Sequence, residues 1–130
     1  MATKRSPRFV LDTSSLLTMM KQAPGGSVVG AQLTLSAISA VNWSEVVEAL
    51  HSDGIDVAGM RGDLEIVGLS IFPFTPEDAD NAALLWDADR GLSLADRACL
   101  TLARRLGLPV LTADATWKQR AVGVDVQLVR

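Results

Sequence analysis

The sequence is poor in the residues that usually announce a site. One cysteine, Cys99, leaves no partner for an internal disulfide and excludes a cysteine-rich zinc site. One histidine, His51, ends a predicted helix with no nucleophile or metal-binding neighbour beside it, which argues against histidine-centred catalysis. No apolar run approaches the roughly 18 residues of a membrane span. Lys4 and Arg5 near the start are not followed by an apolar leader before Asp12. There is no internal repeat and no low-complexity segment. These absences point to a cytoplasmic protein with no membrane association.

What remains is an ordinary globular composition. The chain has 130 residues, 48% hydrophobic and 21% charged, enough for one domain with a substantial core and too apolar for disorder. The net charge of −3 hides an uneven distribution. Residues 53–89 hold nine acids and a single base, Arg61, whereas residues 90–130 hold seven bases against three acids. A basic face on an acidic protein can bind phosphate locally, although solvated helix faces account for most such asymmetry.

Residues 1–7 form a polar, basic tail ending at Pro7, and the domain is expected over 8–130. Phe9-Val10-Leu11 is a short unbroken apolar run that fits a strand buried on both faces, and Asp12 stands where it ends. Ser14 or Ser15 can cap a helix over about 15–22, stopped by Pro24-Gly25-Gly26. A short helix follows at 27–31, then a second strand at Leu33-Thr34-Leu35-Ser36. Ser39 caps a helix over 40–52, whose apolar face carries Trp43, Val46, Val47 and Leu50.

Ile66 to Phe74 reads as a third strand. Thr75-Pro76-Glu77-Asp78 starts a helix that runs to about Arg90. Ser93 caps the next, closed by Gly107, with Ala95, Ala98, Cys99 and Leu102 on its buried face. Val110 to Thr112 is a fourth strand, Asp114 to Arg120 a short helix and Val124 to Val129 a fifth strand. Strands alternating with helices predict an α/β domain, with a central parallel sheet of four to five strands and helices on both faces.

Four carboxylates stand at corresponding places in this scheme. Asp12 and Asp114 follow the first and fourth strands, Glu45 lies in the second turn of the helix after the second strand, and Asp96 lies in the first turn after Ser93. In a parallel sheet all four can project toward the rim where ligands bind. Hard divalent cations such as Mg²⁺ and Mn²⁺ take oxygen ligands, so the set suits them and suits zinc poorly. Each acid also has an ordinary structural role open to it. Asp12 and Asp114 can cap helices, Ser93-x-x-Asp96 matches a capping box, and Glu45 can be a solvated helix acid like Glu48.

Four segments together resemble the PIN-domain ribonucleases, and most closely the VapC-type toxins of bacterial toxin–antitoxin pairs. They are Val10 to Ser14, Ile38 to Val47, Gly91 to Leu100 and Gly107 to Asp114. Their order and spacing agree with the family across about 8–130. The resemblance implies a metal-dependent endoribonuclease with Asp12, Glu45, Asp96 and Asp114 as its catalytic and metal-holding acids, supported by the hydroxyls of Thr13, Ser14 and Thr112. It implies Mg²⁺ or Mn²⁺ as cofactor, RNA as substrate, a small antitoxin as partner and a homodimer. Residues 53–65 match nothing distinctive.

On shared charge alone, Arg97, Arg104, Arg105, Lys118 and Arg120 are candidates to hold an RNA backbone. Cys99 and Trp43 read as core, while Trp86 and Trp117 can be core or interface. A haloacid-dehalogenase-like phosphatase would need a second acid where Ser14 stands. A receiver-type module would need an acid after the third strand, where Phe72-Pro73-Phe74 runs, and a lysine where Thr112 stands. A catalytically inactive, protein-binding PIN-like module is the remaining alternative, and four intact acids disfavour it.

Overall fold

The structure, a computed structural model, describes residues 6–117 and 123–130. Its core is a five-stranded, wholly parallel sheet in the order β3-β2-β1-β4-β5. The strands are β1 (Phe9–Leu11), β2 (Ser36–Ser39), β3 (Ser70–Phe72), β4 (Val110–Thr112) and β5 (Val126–Leu128). The helices are α1 (Thr13–Met20), α2 (Gly26–Gln32), α3 (Ala40–Ser52), α4 (Met60–Val67), α5 (Pro76–Leu84) and α6 (Leu94–Leu106).

The central strand shows why helices lie on both faces. Successive side chains of a strand point to opposite sides. Val10 therefore enters one apolar cluster with Cys99, Leu102 and Val110 beneath α6, while Leu11 enters another with Leu16, Ile38, Val46 and Leu50 beneath α1 and α3. Val10 and Leu11 are both fully buried. Val10 pairs with Ala37 on one side and Val110 on the other, and Leu11 with Ile38 and Leu111. Trp117 resolves as core, 2% exposed in the cluster beneath α6, whereas Trp86 is 66% exposed.

Several boundaries differ from the sequence expectation, each for a local reason. Asp12 rather than Ser14 or Ser15 caps α1, its carboxylate accepting from the Ser15 N–H at 2.8 Å. Leu33–Leu35 is a 3-10 turn and the strand comes after it. That strand is buried throughout although it begins and ends in serine. Ser36 Oγ donates to the Gln32 carbonyl at 2.8 Å, and Ser39 Oγ accepts from the Val41 N–H at 3.2 Å. Satisfied hydroxyls make buried serine affordable here.

Ile66 and Val67 belong to the end of α4, where they are exposed, and only Ser70–Phe72 pair in the sheet. The break is Gly68, at φ 130°, where a Cβ would meet the Thr34 Cα at 3.0 Å. α5 stops at Leu84 rather than near Arg90. The short helix expected over Asp114 to Arg120 lies only partly within the described residues, which stop at Trp117, and residues 1–5 of the tail lie outside them.

α6 is held to α5 by two arginines. Arg97 donates to the Ala82 carbonyl at 3.1 Å, and Arg105 pairs with the buried Asp78 at 3.1 Å while standing 5.8 Å from the Phe72 ring centre. Asp78 Oδ2 also accepts from the Thr75 N–H in the cap of α5, and its Oδ1 has no hydrogen-bond partner. Arg105→Met keeps most of the aliphatic stem and leaves that buried carboxylate with its cap bond alone. A fully buried ion pair broken this way loses more, but Arg105 is half open to solvent, so a loss of roughly 1–3 kcal/mol is expected. A urea melt measures it as a lower midpoint at unchanged slope. An unmoved midpoint would show that the pair contributes nothing to the packing of α5 on α6.

Candidate active site

The strand order places a natural crevice. From β1 the chain winds outward through β2 and β3, then returns to the other side of β1 with β4 and β5. The connections leaving β1 and β4 therefore diverge, and the gap beyond their carboxyl ends is where open α/β sheets bind ligands. Asp12 follows the last residue of β1 and Thr112 is the last residue of β4.

Asp12 is 3% exposed and is the most enclosed of the four acids. Thr112 Oγ1 donates to its Oδ2 at 2.5 Å. Ser14 Oγ lies 2.8 and 2.9 Å from its two oxygens, and the Ser15 N–H reaches Oδ1 at 2.8 Å. Ser14 Oγ in turn accepts from the Ala113 N–H at 3.0 Å, tying the start of α1 to the turn after β4. Burial pushes the Asp12 carboxyl above its ordinary 3.8, and the bonds from Thr112, Ser15 and Ser14 pull the other way without overcoming it.

Glu45 reaches the rim from the second turn of α3 and is exposed. The Thr13 hydroxyl, next to Asp12 in sequence, donates to its Oε1 at 2.7 Å. Asp96 sits at the third position of α6 in a complete capping box, its Oδ2 accepting from the Ser93 N–H at 3.0 Å. Asp12 and Asp96 both lie near the Cys99 thiol, which donates weakly to the Leu11 carbonyl at 3.7 Å. Burial first, and then the charges of Asp12 and Asp96, push that thiol well up, so Cys99 is inert core at the floor of the crevice.

Asp114 follows β4, and its N–H donates to Thr112 Oγ1 at 3.0 Å. Its Oδ1 accepts from the N–H and hydroxyl of Thr116 at 2.9 and 2.7 Å. The expected capping roles are thus present for Asp12 and Asp96, while Asp114 bonds to Thr116 two positions on. Glu48 lies one turn along α3 from Glu45. With Thr13 and Leu17 these two acids line a groove of about 310 Å³ between α1 and α3.

Among the described residues no three histidine, cysteine, aspartate or glutamate side chains come together as a ready-made metal cage. Mg²⁺ does not need one. It is usually held by one or two carboxylates with waters and substrate phosphate completing the shell. The charges of Asp12 and Asp96 both reach the Cys99 thiol, and every candidate donor among the four acids is a hard oxygen. The donor set fits a divalent cation of that class.

The candidate RNA-binding bases do not share one surface position. α6 starts at the rim and its last residues lead into the opposite end of β4. Arg104 and Arg105 lie eight and nine positions after Asp96, about 12–14 Å along the helix, and so face the other edge of the sheet. Arg105 is engaged by Asp78, and Arg97, beside Asp96, is half-buried and engaged by Ala82. Lys118 and Arg120 lie outside the described residues. His51 is exposed in the last turn of α3.

One participant escaped the sequence reading. Asn42 is buried on α3 and its amide nitrogen donates to both Thr13 Oγ1 and the Ala95 carbonyl at 3.1 Å. Its only signal was a polar residue three positions before Glu45 on a helix face otherwise turned to the core.

The fold recurs among solved structures. A chain of a toxin-antitoxin complex from Klebsiella pneumoniae superposes with a TM-score of 0.70 at 19% identity, over 93% of this chain and 97% of that one. A chain of DNA-bound VapBC from Salmonella typhimurium gives 0.68 at 17% identity, over 95% and 99%. One of VapBC2 from Rickettsia felis, bound to a fragment of its promoter, gives 0.65 at 14%, over 92% and 97%. No curated protein matches in sequence. At these identities the likeness is one of fold. The family model of the PIN domain matches residues 9–123, from the start of β1 to the approach to β5, and the chain belongs to the PIN-domain family.

Proposed function

We propose that this chain is a metal-dependent endoribonuclease and acts as the toxin of a type II toxin–antitoxin pair. The observation that carries the reading is the buried Asp12 carboxylate at the divergence of β1 and β4, with Glu45, Asp96 and Asp114 on the same rim. PIN domains are generally nucleases, and the structural neighbours come from toxin–antitoxin complexes. An inactive binding module has no need of a charge buried at that point.

In this reading Asp12 and Asp96 hold one or two Mg²⁺ or Mn²⁺ ions, with Glu45 and Asp114 completing the acidic set. When bound, such a cation supplies an activated water at neutral pH and neutralises charge developing on the scissile phosphate. The protein's own contribution is orientation. Thr112, Ser14 and the Ser15 N–H fix both Asp12 oxygens, and Thr13 fixes Glu45. No described histidine or lysine approaches the rim to act as an independent base.

The small antitoxin is a protein partner of the chain, and a second copy of the chain is another. Ile66, Val67, Leu84 and Trp86 offer exposed apolar surface for such contacts. Expression of the chain alone is expected to arrest growth, and co-expression of the small protein encoded beside it to relieve the arrest. Failure of the two purified proteins to form a complex removes the toxin assignment while leaving the nuclease untouched.

Asp12→Asn tests the chemistry. Cleavage of single-stranded RNA should fall by roughly three orders of magnitude, equivalent to about 4 kcal/mol of transition-state stabilisation, and EDTA should silence the wild type. Undiminished cleavage by the variant sinks the mechanism.

The same variant makes a second, independent prediction. Because the Asp12 pKa is raised above 3.8, the folded state binds that proton more tightly than the unfolded chain does. The stability linked to protonation is fully present below 3.8 and is lost as pH rises through the raised folded value. The metal-free protein is therefore weakened at neutral pH. Asparagine caps a helix as well as aspartate does and carries no charge to desolvate. In EDTA Asp12→Asn should melt higher than wild type at pH 7.5, with the gap closing toward pH 4. Added Mn²⁺ should raise the wild-type melting temperature more than the variant's, since ligand binding favours the native state. A variant that melts lower in EDTA at every pH contradicts the burial account.

A further inference from the structure

We propose that Asn42 is a positioning residue of the metal centre, its amide setting the Thr13 hydroxyl that holds Glu45 and tying the first turn of α6 to α1. The inference rests on the reading of the rim as a divalent-cation site. Asn42 is 1% exposed and lies one turn before Glu45 on the same side of α3. Its Nδ2 donates to Thr13 Oγ1 and to the Ala95 carbonyl, both at 3.1 Å. A carbonyl can only accept, so the nitrogen of the amide must face Ala95 and the orientation is determined.

The direction of the next bond follows. Having accepted from Asn42, the Thr13 hydroxyl turns its single proton to Glu45 Oε1, 2.7 Å away. Asn42 therefore touches the residue after Asp12 and the residue before Asp96, and controls the group that orients Glu45. Three of the four acids are spaced through one buried amide.

That amide also carries a cost. Its Oδ1 is buried with no hydrogen-bond partner, which an apolar side chain of similar shape would avoid. Leucine would serve packing alone as well or better. The two donated bonds are what leucine cannot supply.

Titration calorimetry with Mn²⁺ alone, well below the melting temperature, tests the assignment. Asn42→Leu should weaken Mn²⁺ binding by about 10- to 100-fold, the usual effect of removing a group that orients a ligand. Thr13→Val should weaken it similarly. The double variant should lose less than the product of the single losses, because either change removes the Asn42–Thr13 bond. Asn42→Ser, too small to clash, should show the same direction and guards against a leucine variant that does not fold.

A purely structural residue gives another pattern. Asn42 variants that melt lower but bind Mn²⁺ with the wild-type dissociation constant overturn the proposal, as do fully multiplicative losses in the double variant. If the wild type takes up no Mn²⁺, the metal centre itself is wrong and this role goes with it. If the wild type binds and the Asn42 variants bind equally, only the positioning role is wrong.

Discussion

Holding a carboxylate at 3% exposure is costly unless its oxygens are met by donors, and the fold around Asp12 is arranged to meet them. The donors come from places far apart in sequence. Ser14 and Ser15 belong to the first turn of α1, while Thr112 ends β4, a hundred residues on. β4 must therefore pair directly with β1, and α1 must begin without a linker after the strand. The opening N–H groups of α1 also lend a favourable field to a negative charge. Even so, burial wins and the carboxyl stays above its ordinary range. A group kept ionisable against that penalty stands where the connections leaving β1 and β4 diverge.

Capping and ligand binding are often weighed as rival explanations for an acid at a helix start, but the two are compatible, and the cap of Asp96 leaves the proposed role open. Capping needs one oxygen of the carboxylate. The Asp96 oxygen that accepts from the Ser93 N–H is Oδ2. The cap bond fixes the side chain in one rotamer and so directs the other oxygen without added residues. A carboxylate oriented by a backbone N–H loses little further entropy on taking a cation. The helix cap is thus part of what prepares the rim.

Much of this was legible in the sequence, for reasons that also explain the failures. β1 and β4 are unbroken apolar runs that end abruptly in polar residues, and a strand buried on both faces leaves that mark. The places of the acids in the fold were legible because each sits at a fixed offset from a strand end or a helix cap. β2 was displaced because Ser36 and Ser39 read as turn residues, and only the structure reveals the bonds that satisfy them in the core. β3 was overextended because the exposed Ile66 and Val67 at the end of α4 run on toward it. Asn42 was missed because its importance lies in partners 29 and 53 residues distant. The direction in which the arginines of α6 face was not legible, because a count of charges carries no sense of direction along a helix.

That direction matters for how a polyanion can approach. Arg104 and Arg105 end α6, where a helix favours positive charge, and Arg105 is further engaged by Asp78. Nearer the rim, Arg97 is bound to the Ala82 carbonyl and Arg90 pairs with Asp87 at 3.5 Å. Among the described residues, the crevice is thus lined by acids, with its neighbouring cations already engaged. An RNA phosphate brought to such a surface meets like charge at close range, roughly 1–4 kcal/mol per contact depending on the local dielectric. The divalent cation proposed for the rim reverses that sign where the phosphate must sit. Its role then begins before any bond breaks. Without the cation, the acids proposed to serve hydrolysis would also repel an RNA phosphate.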